Sequence, residues 1–264
     1  MIRERKVLGV IPARYNSSRL PGKPLADILG KPMIQWVYER SHSCKEIDEL
    51  VVATDDERIY KAVTSFGGKA IMTEKNHRTG TDRVGEVAEK REDVDLVINI
   101  QGDEPLISKE AIAEAVSSLI EEGEAVVATL KRKIDKAEEL LNPNIVKVVS
   151  DNSGYAIYFS RAPIPYPKEA SFGKEKEWLS RRKEIFKNYF RHIGLYVFKR
   201  EFLLTYSKLP KTPLELIEGL EQLRILEHGY KIKVALTSYT SYDVNTEEDL
   251  KQVREIMKKD ETKG

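Results

Sequence analysis

The residues best equipped for chemistry stand just after the first apolar run of the chain. Val7 to Ile11 has the length and composition of a buried parallel strand, and Pro12 ends it because it offers no N–H to a ladder. Between Pro12 and Pro24 come Arg14, Arg19 and Lys23, interleaved with Ser17, Ser18, Pro21 and Gly22. Guanidinium groups grip phosphate oxygens in a fork, an ammonium adds a point charge, and glycine lets backbone approach a ligand closely. Scattered cations are also the composition of an ordinary solvated loop. The location at the carboxyl end of a strand, where open α/β sheets bind ligands, favours a polyphosphate site.

Three further stretches could complete such a site. Gln101-Gly102-Asp103-Glu104-Pro105 directly follows the clearest strand, Asp95 to Ile100. A carboxylate there is well sited for a hard cation such as Mg²⁺, which typically takes one or two protein oxygens together with substrate phosphates and water. Tyr242-Asp243-Val244-Asn245-Thr246 precedes the last helix, so the Asn245 side-chain oxygen is aimed by a fixed helix start, with Asp243 two residues earlier on the same side of an extended segment. An Asx-type turn entering a helix is the plainer reading of either residue alone. His77-Arg78-Thr79-Gly80-Thr81-Asp82-Arg83 places glycine and hydroxyls ahead of a helix, where backbone N–H groups can meet a nucleotide. His42, His77, His192 and His228 lack metal-ligand spacing, which argues against zinc. Absent are Gly-x-Gly-x-x-Gly after the first strand, the P-loop pattern and Gly-x-Ser-x-Gly, so dinucleotide oxidoreductases, P-loop NTPases and α/β-hydrolases lose their main support.

The elements needed to hold these stretches alternate. A helix with Met33, Ile34, Trp36 and Val37 on its apolar face leads to a strand at Leu50–Ala53. A capping box at Thr54 and Glu57 then opens a helix through Ile59, Ala62 and Val63. Lys69–Thr73 reads as a strand, and Val84, Val87 and Ala88 mark a helix before the strand at Asp95. This order predicts an α/β fold with a doubly wound, mostly parallel sheet. Beyond about Ala125 the strands Val126–Leu130, Val146–Ser150, Tyr155–Phe159 and Gly194–Phe198 predict a β-rich excursion at about 150–212 within a single domain, with a hairpin turn at Asn152-Ser153-Gly154. The charge-dense residues 168–187 read as an exposed insertion. One helix is expected over Pro213–His228, with Leu216, Ile217, Leu220, Leu223 and Leu226 as a core stripe. A final strand, Lys231–Leu236, precedes a last helix capped by Thr246 and Asp249, and the tail from Lys258 is expected to fray.

The 264 residues carry 44 basic and 43 acidic side chains, and a net charge of +1 argues against a bulk nucleic-acid binder. No apolar run approaches a membrane span, the stretch before Pro12 is too short for a signal segment, and the single cysteine, Cys44, fits a reducing cytoplasm.

Ile11-Pro12-Ala13-Arg14 with Ser18-Arg19-Leu20-Pro21-Gly22-Lys23-Pro24 resembles the signature of the nucleotide-sugar cytidylyltransferases. The resemblance is closest to the branch that activates 3-deoxy-manno-octulosonate (Kdo) for lipopolysaccharide synthesis. It continues through Ala53-Thr54-Asp55, Met72-Thr73, His77-x-x-Gly80-Thr81-Asp82-Arg83, Gln101–Pro105, Tyr158–Ala162, Arg191–Tyr196 and Pro213–Arg224. It implies a nucleotidyltransferase fold of Rossmann-like type whose β-rich excursion serves dimerisation, with CTP and Kdo as substrates. CTP would lie against Pro12, Ala13, Arg14, Arg19, Lys23, Thr73, His77, Gly80, Thr81 and Arg83, with Arg14, Lys23 and Asp103 as the catalytic set. Gln101, Arg161, His192, Tyr196, Glu221 and Gln222 would face the sugar, with Arg161 and His192 at its carboxylate. Mg²⁺ would sit on Asp103. Where many relatives have Val-Asp-Thr, this chain has Val244-Asn245-Thr246; an amide oxygen ligates without adding charge, so Asn245 and Asp243 both stay open as the second ligand. The resemblance also implies a homodimer, with contacts expected near Gly194–Phe198. A cytidylyltransferase for another acid sugar and a nucleotide-binding regulator on the same fold are the alternatives; Asp103 is the residue a regulator could lose.

Overall fold

Apolar runs of strand length, each followed by a helix-length amphipathic segment, leave the chain little choice but to stack helices on a parallel sheet. The computed structural model describes residues 5–16, 20–121, 123–169, 173, 177, 179 and 183–261. The chain packs as two compact units, one of residues 1–113, 195–207 and 240–264, the other of 114–194 and 208–239.

In the first unit the strands are β1 (Val7–Ala13), a two-residue antiparallel ladder of β2 (Asp27–Ile28) with β3 (Lys31–Pro32), then β4 (Glu49–Thr54), β5 (Ala70–Met72) and β6 (Leu96–Asn99). β6, β1, β4 and β5 lie side by side and parallel, and residues 196–199 run antiparallel along β6 with Tyr196 opposite Asn99. Leu8, Val10, Ile11, Val52, Val97 and Ile98 are fully buried, as a sheet covered on both faces requires. Helices α1 (Met33–His42), α2 (Glu57–Ser65) and α3 (Gly80–Glu89) make the crossovers. The chain leaves β1 toward β4 on one side and returns to β6 on the other, so the crevice of a doubly wound sheet opens at the carboxyl ends of β1 and β6. A cluster of Leu20, Ile28, Met33, Leu106, Val244, Leu250, Val253 and Met257 sits beside that crevice. It anchors the end of the basic loop, the segment after β6 and the turn before the last helix in one apolar body, and so fixes the spacing of all three.

Several local expectations change. Thr54 ends β4 and is buried; α2 is capped by Asp56, whose side chain accepts from Arg58 N–H. Helix α4 (Lys109–Ile120) forms where no element was expected, although Ala111, Ile112, Ala115, Val116 and Leu119 recur at helical spacing and are buried. The last helix, Glu247–Glu261, begins at the expected Thr246/Asp249 box and runs past Lys258, so the described part of the tail is helical.

The second unit holds β7 (Ala125–Lys133), β8 (Lys147–Ser150), β9 (Ala156–Ser160), the first part of β10 (Phe190–Lys199) and β11 (Lys231–Leu236). β11 lies parallel to β7, and β8 pairs antiparallel with β9 and β10. Gly154, at a φ of 81°, turns the β8–β9 hairpin as expected. Parts of 168–187 lie outside the described residues, but Leu179 and Phe186 are buried with Ile134, Leu140 and Tyr189, so this segment is no simple exposed insertion. The helix expected over 213–228 is two, Pro213–Glu218 and Gln222–Glu227, broken by Gly219 in the left-handed conformation. Leu223 is buried, yet Leu216 and Ile217 are 64% and 81% exposed, so the stripe continues only across the second helix. Gly194–Phe198 is interior: Leu195, Val197 and Phe198 are buried, and 196–198 pair with β6. Among the described residues no helix is long and apolar enough to cross a membrane.

Candidate active site

β1 delivers Pro12 and Ala13 to the crevice and hands over to the basic loop. Gly22, at a φ of 69°, closes that loop: its N–H donates 3.0 Å to Tyr15 O, and a side chain there would meet the Tyr15 ring. The Tyr15 ring is covered by the Arg58 guanidinium, 3.3 Å from its centroid, which is itself forked onto Asp56. The loop is thus braced from α2. A short 3₁₀ turn, Lys23–Leu25, follows, and Lys23 Nζ donates 2.7 Å to Asp103 Oδ2 and 3.0 Å to Val244 O while lying 3.4 Å from Asn245 Oδ1. The segment after β6 can run this close to β1 because position 102 is glycine; a Cβ there would stand 3.0 Å from Pro12 O. Val244 N–H donates 2.9 Å to Asp103 O, and the backbone N–H of Asn245 donates to Asp249 Oδ2, so the turn before the last helix is locked at both ends.

These elements enclose a cleft of about 400 Å³. Pro12, Ala13, Arg14, Lys23, Gly80, Arg83, Gln101, Asp103 and Asn245 line it, joined by Asn16, Pro24 and Gly102. Arg14, Lys23 and Arg83 bring cationic groups to it and Asp103 and Asn245 bring oxygen atoms, the combination a nucleotide triphosphate with its metal requires. Arg19 lies outside the described residues. Asn16 is a cleft residue that sequence reasoning passed over, because an asparagine in a loop carries no signal of its own.

Arg83 reaches the cleft from within the core. It pairs with Asp55 at 3.1 Å, donates to Thr73 Oγ1, and donates 3.2 Å to Glu74 O. Burial lowers its pKa, with Asp55 opposing and Arg14 adding to the effect. Thr73 therefore holds Arg83 and does not itself line the cleft. Thr81 accepts from Asn99 Nδ2 at 3.1 Å, facing β6. His77 Nε2 lies 2.6 Å from Glu86 Oε2, and Glu86 also accepts from Glu74 N–H and Lys90. Burial works upward on Glu86, but these bonds outweigh it and hold the carboxyl near 2. His77 is a strut of the 73–83 segment.

Behind Asp103 stands a second acidic group. Glu104 is buried, and burial together with the charges of Asp243 and Asp103 pushes its carboxyl well above the usual range. Ser241 Oγ lies 3.1 Å from Glu104 Oε1 and 2.7 Å from Asp243 Oδ1. Asp243 is engaged with this pair, whereas Asn245 lines the cleft beside Asp103. Burial also raises Asp103, Lys23 pulls it down, and Asp243 pushes it up again.

Of the residues expected at the sugar, Gln101 lines this cleft, and Tyr196 lies opposite Asn99 with its ring 6.0 Å from that of Phe198. Arg161, His192, Glu221 and Gln222 belong to the second unit. Arg161 Nε donates 2.7 Å to Glu218 O and Nη1 donates 3.0 Å to Pro143 O. Glu218 accepts from Ser160 Oγ and from Arg161 N–H, which ties the end of β9 to the helix Pro213–Glu218. Glu221 starts the helix Gln222–Glu227, in which Gln222 and Arg224 are buried. Arg224 forks onto Glu215, which also closes a capping box with Thr212. Thr212-x-x-Glu215 is legible in the sequence as that box.

His192 has its own partners inside the second unit: Thr129 and the Phe159 ring, which it meets edge-on with centroids 5.0 Å apart. Thr129 Oγ1 donates 3.0 Å to Ile193 O, so its one proton is spent and it accepts from His192 Nε2–H at 2.8 Å. Burial, with the Arg191 charge, pushes the imidazolium down to about 3. The unfolded chain binds a proton at this residue near 6.5 and the folded chain does not, so stability is lost as pH falls from about 6.5 toward 3. Thermal melts from pH 7 to pH 4.5 are expected to fall less steeply in His192→Gln; parallel curves for the two proteins would contradict the lowered imidazole pKa.

Comparison with known proteins agrees with this geometry. A family model described as cytidylyltransferase matches residues 8–232. A 3-deoxy-manno-octulosonate cytidylyltransferase of Fusobacterium nucleatum is 52% identical over 258 residues, covering 98% of this chain and 99% of the relative. One of Solibacter usitatus is 49% identical, covering 96% and 95%. The solved structure of CMP:2-keto-3-deoxy-manno-octonic acid synthetase complexed with CTP superimposes with a TM-score of 0.86 at 43% identity, over 97% of this chain and 99% of that one. A chain matched by that family model over most of its length, and by relatives at 49% and 52% identity from end to end, belongs to the cytidylyltransferase family, among the 3-deoxy-manno-octulosonate cytidylyltransferases.

Proposed function

We propose that the cleft binds CTP and that the enzyme transfers CMP to the anomeric hydroxyl of Kdo, releasing pyrophosphate and giving CMP-Kdo, the activated sugar for lipopolysaccharide synthesis. The observation that carries this reading is the convergence of Arg14, Lys23 and Arg83 with the oxygens of Asp103 and Asn245 in one cleft at the switch point of the sheet. The hydroxyl attacks the α-phosphorus in line with the departing pyrophosphate. Arg14 and Lys23 stabilise the charge that builds on the phosphates, and Gln101 orients the acceptor. Arg161 is assigned to the sugar carboxylate, with Tyr196, Glu221 and Gln222 to its hydroxyls; neutral His192 serves through hydrogen bonding only.

The cleft also suits Mg²⁺. Asp103 Oδ2, Val244 O and Asn245 Oδ1 already converge on one cation, the Lys23 ammonium, and all three are the hard oxygens that ion prefers. Asp103 and Asn245 are the side chains that would hold it, Asp243 being turned to Ser241 and Glu104. Among the described residues no group of three His, Cys, Asp or Glu side chains is arranged to hold a metal ion, so substrate phosphates and water would complete the coordination. A Mg²⁺ ion held by Asp103 and Asn245 would supply neutralisation of phosphate charge and a lowered pKa for the attacking hydroxyl.

The test is pyrophosphate release over a matrix of nucleotides and acid sugars. CTP with Kdo is expected to turn over, and UTP to be rejected because a buried site built for the cytosine amine leaves polar groups unpaired against uracil. The 12–18 and 73–83 segments supply those contacts in this reading, Ser17 and Ser18 lying outside the described residues. Equal turnover of CTP and UTP contradicts it, and preference for a sialic acid over Kdo moves the enzyme to the rival acid-sugar branch. We infer a cytoplasmic reaction, a reading supported by CTP as the substrate and by a lone cysteine, Cys44.

We further infer a homodimer. The surface that favours it is not Gly194–Phe198 but the exposed Leu216 and Ile217, with Ile157 at 62% exposure, all in the second unit. Sedimentation at micromolar concentration is expected to show a dimer that Ile217→Asp weakens; a monomeric wild-type protein rules the dimer out.

A further inference from the structure

The oxygens suited to a divalent cation are held by a side chain of the protein itself. Lys23 Nζ is 2.7 Å from Asp103 Oδ2, 3.0 Å from Val244 O and 3.4 Å from Asn245 Oδ1. This is a built arrangement. Lys23 opens the 3₁₀ turn that Gly22 initiates, Val244 is tied by its N–H to Asp103 O, and Asn245 is tied by its N–H to Asp249. Both partners of the ion pair are largely withdrawn from solvent, with side-chain exposures of 16% and 27%. One carboxylate, one carbonyl and one amide oxygen around one ammonium make a charge-balanced nest. A divalent cation entering the same oxygens must displace that ammonium or sit within a few ångströms of it, and like charges so close in partly buried surroundings repel strongly.

We propose that Lys23 is a resident counter-ion: it fills the cation nest in the nucleotide-free enzyme and is drawn off by the triphosphate, so that metal and nucleotide enter together. Lys23 has two stations in this scheme, one on Asp103 and one on the phosphates, and only the second leaves Asp103 and Asn245 to the metal. The nucleotide raises metal affinity, and by reciprocity the metal raises nucleotide affinity. A second effect is protective. Asp103 is never left as an unpaired carboxylate in a half-buried corner, which would cost more than the pair itself contributes. The proposal rests on the reading of the cleft as a CTP and metal site.

The test uses Mn²⁺ alone as the probe, with the free ion counted by electron paramagnetic resonance in the absence of nucleotide. Wild-type protein is expected to bind Mn²⁺ weakly, and Lys23→Met and Lys23→Gln to bind it at least about tenfold more tightly, because the competing charge is gone. Affinity in both variants no higher than in wild type overturns the proposal. A measurement on wild-type protein stands apart from any folding defect in the variants: at Mn²⁺ concentrations that saturate the nucleotide-free site, acetylation of Lys23 by limiting acetic anhydride is expected to rise severalfold while that of the exposed Lys251 stays constant. Unchanged acetylation of Lys23 at saturation also overturns it. The pyrophosphate assay separates this outcome from the fate of the transferase reading. Tightened Mn²⁺ binding without CTP-dependent pyrophosphate release sinks the transferase and keeps the counter-ion, and release with unaltered Mn²⁺ affinity does the reverse.

Discussion

Asp103→Asn is expected to lower turnover by about 10²–10³-fold in a protein that still folds. The substitution keeps size and the backbone bond from Val244 N–H to Asp103 O, but removes the one carboxylate that lines the cleft among the described residues. Loss of a preorganised electrostatic partner of the transition state falls in that range, and a metal ligand adds to it. CTP affinity is expected to fall much less, since Arg14, Lys23 and Arg83 remain. The variant should also need more Mg²⁺ for half-maximal rate. Steady-state kinetics over a Mg²⁺ series checks both points: near-normal turnover with an unchanged Mg²⁺ requirement removes Asp103 from the metal site.

Arg14→Ala is expected to act on the other term, weakening CTP binding by about 10–100-fold, the worth of one or two hydrogen bonds to a charged group. The cleft's cations are unequal. Lys23 is engaged with Asp103, and Arg83 is held in the core by Asp55 and Thr73. Arg14 stands on the exposed rim of the loop, so it has the least to give up on meeting a phosphate. Lys at this position should restore only part of the affinity, because an ammonium cannot reproduce the planar fork. Calorimetric titration with CTP in the absence of acceptor sugar measures the effect directly; equal affinity in wild type and Arg14→Ala would take the phosphates off this loop.

The fold and two walls of the first unit's cleft were legible for one reason: the stretches after Pro12 and from Gln101 each directly follow a strand whose apolar run is unmistakable. Val7–Ile11 and Asp95–Ile100 end at Pro12 and Gln101, and the parallel order of β1 and β6 brings both ends to one crevice. The Thr246/Asp249 box announced where Asn245 would be aimed. What stayed hidden depends on contacts remote in sequence. Nothing in Thr73 or His77 says that one holds Arg83 and the other Glu86. Asp243 and Asn245 are equivalent in sequence pattern, and only the buried Glu104 beside Ser241 shows which of them is engaged elsewhere. The helix split at Gly219 misled because Leu216 and Ile217 continue the period of Leu220 and Leu223; periodicity finds an apolar face but cannot say whether the same chain covers it.

The most direct test of the transfer chemistry follows an oxygen atom. With Kdo labelled by ¹⁸O at its anomeric hydroxyl, CTP and Mg²⁺, attack of that hydroxyl on the α-phosphorus places the label in the bridge between phosphorus and sugar of the product. The ³¹P signal of CMP-Kdo is then expected to show the isotope shift of a labelled bridging oxygen, with unlabelled pyrophosphate released in equal amount. Release of the label to water with an unlabelled bridge would mean that the sugar carbon, not the phosphorus, is attacked, and the roles assigned to Arg14, Lys23 and Asp103 would not stand.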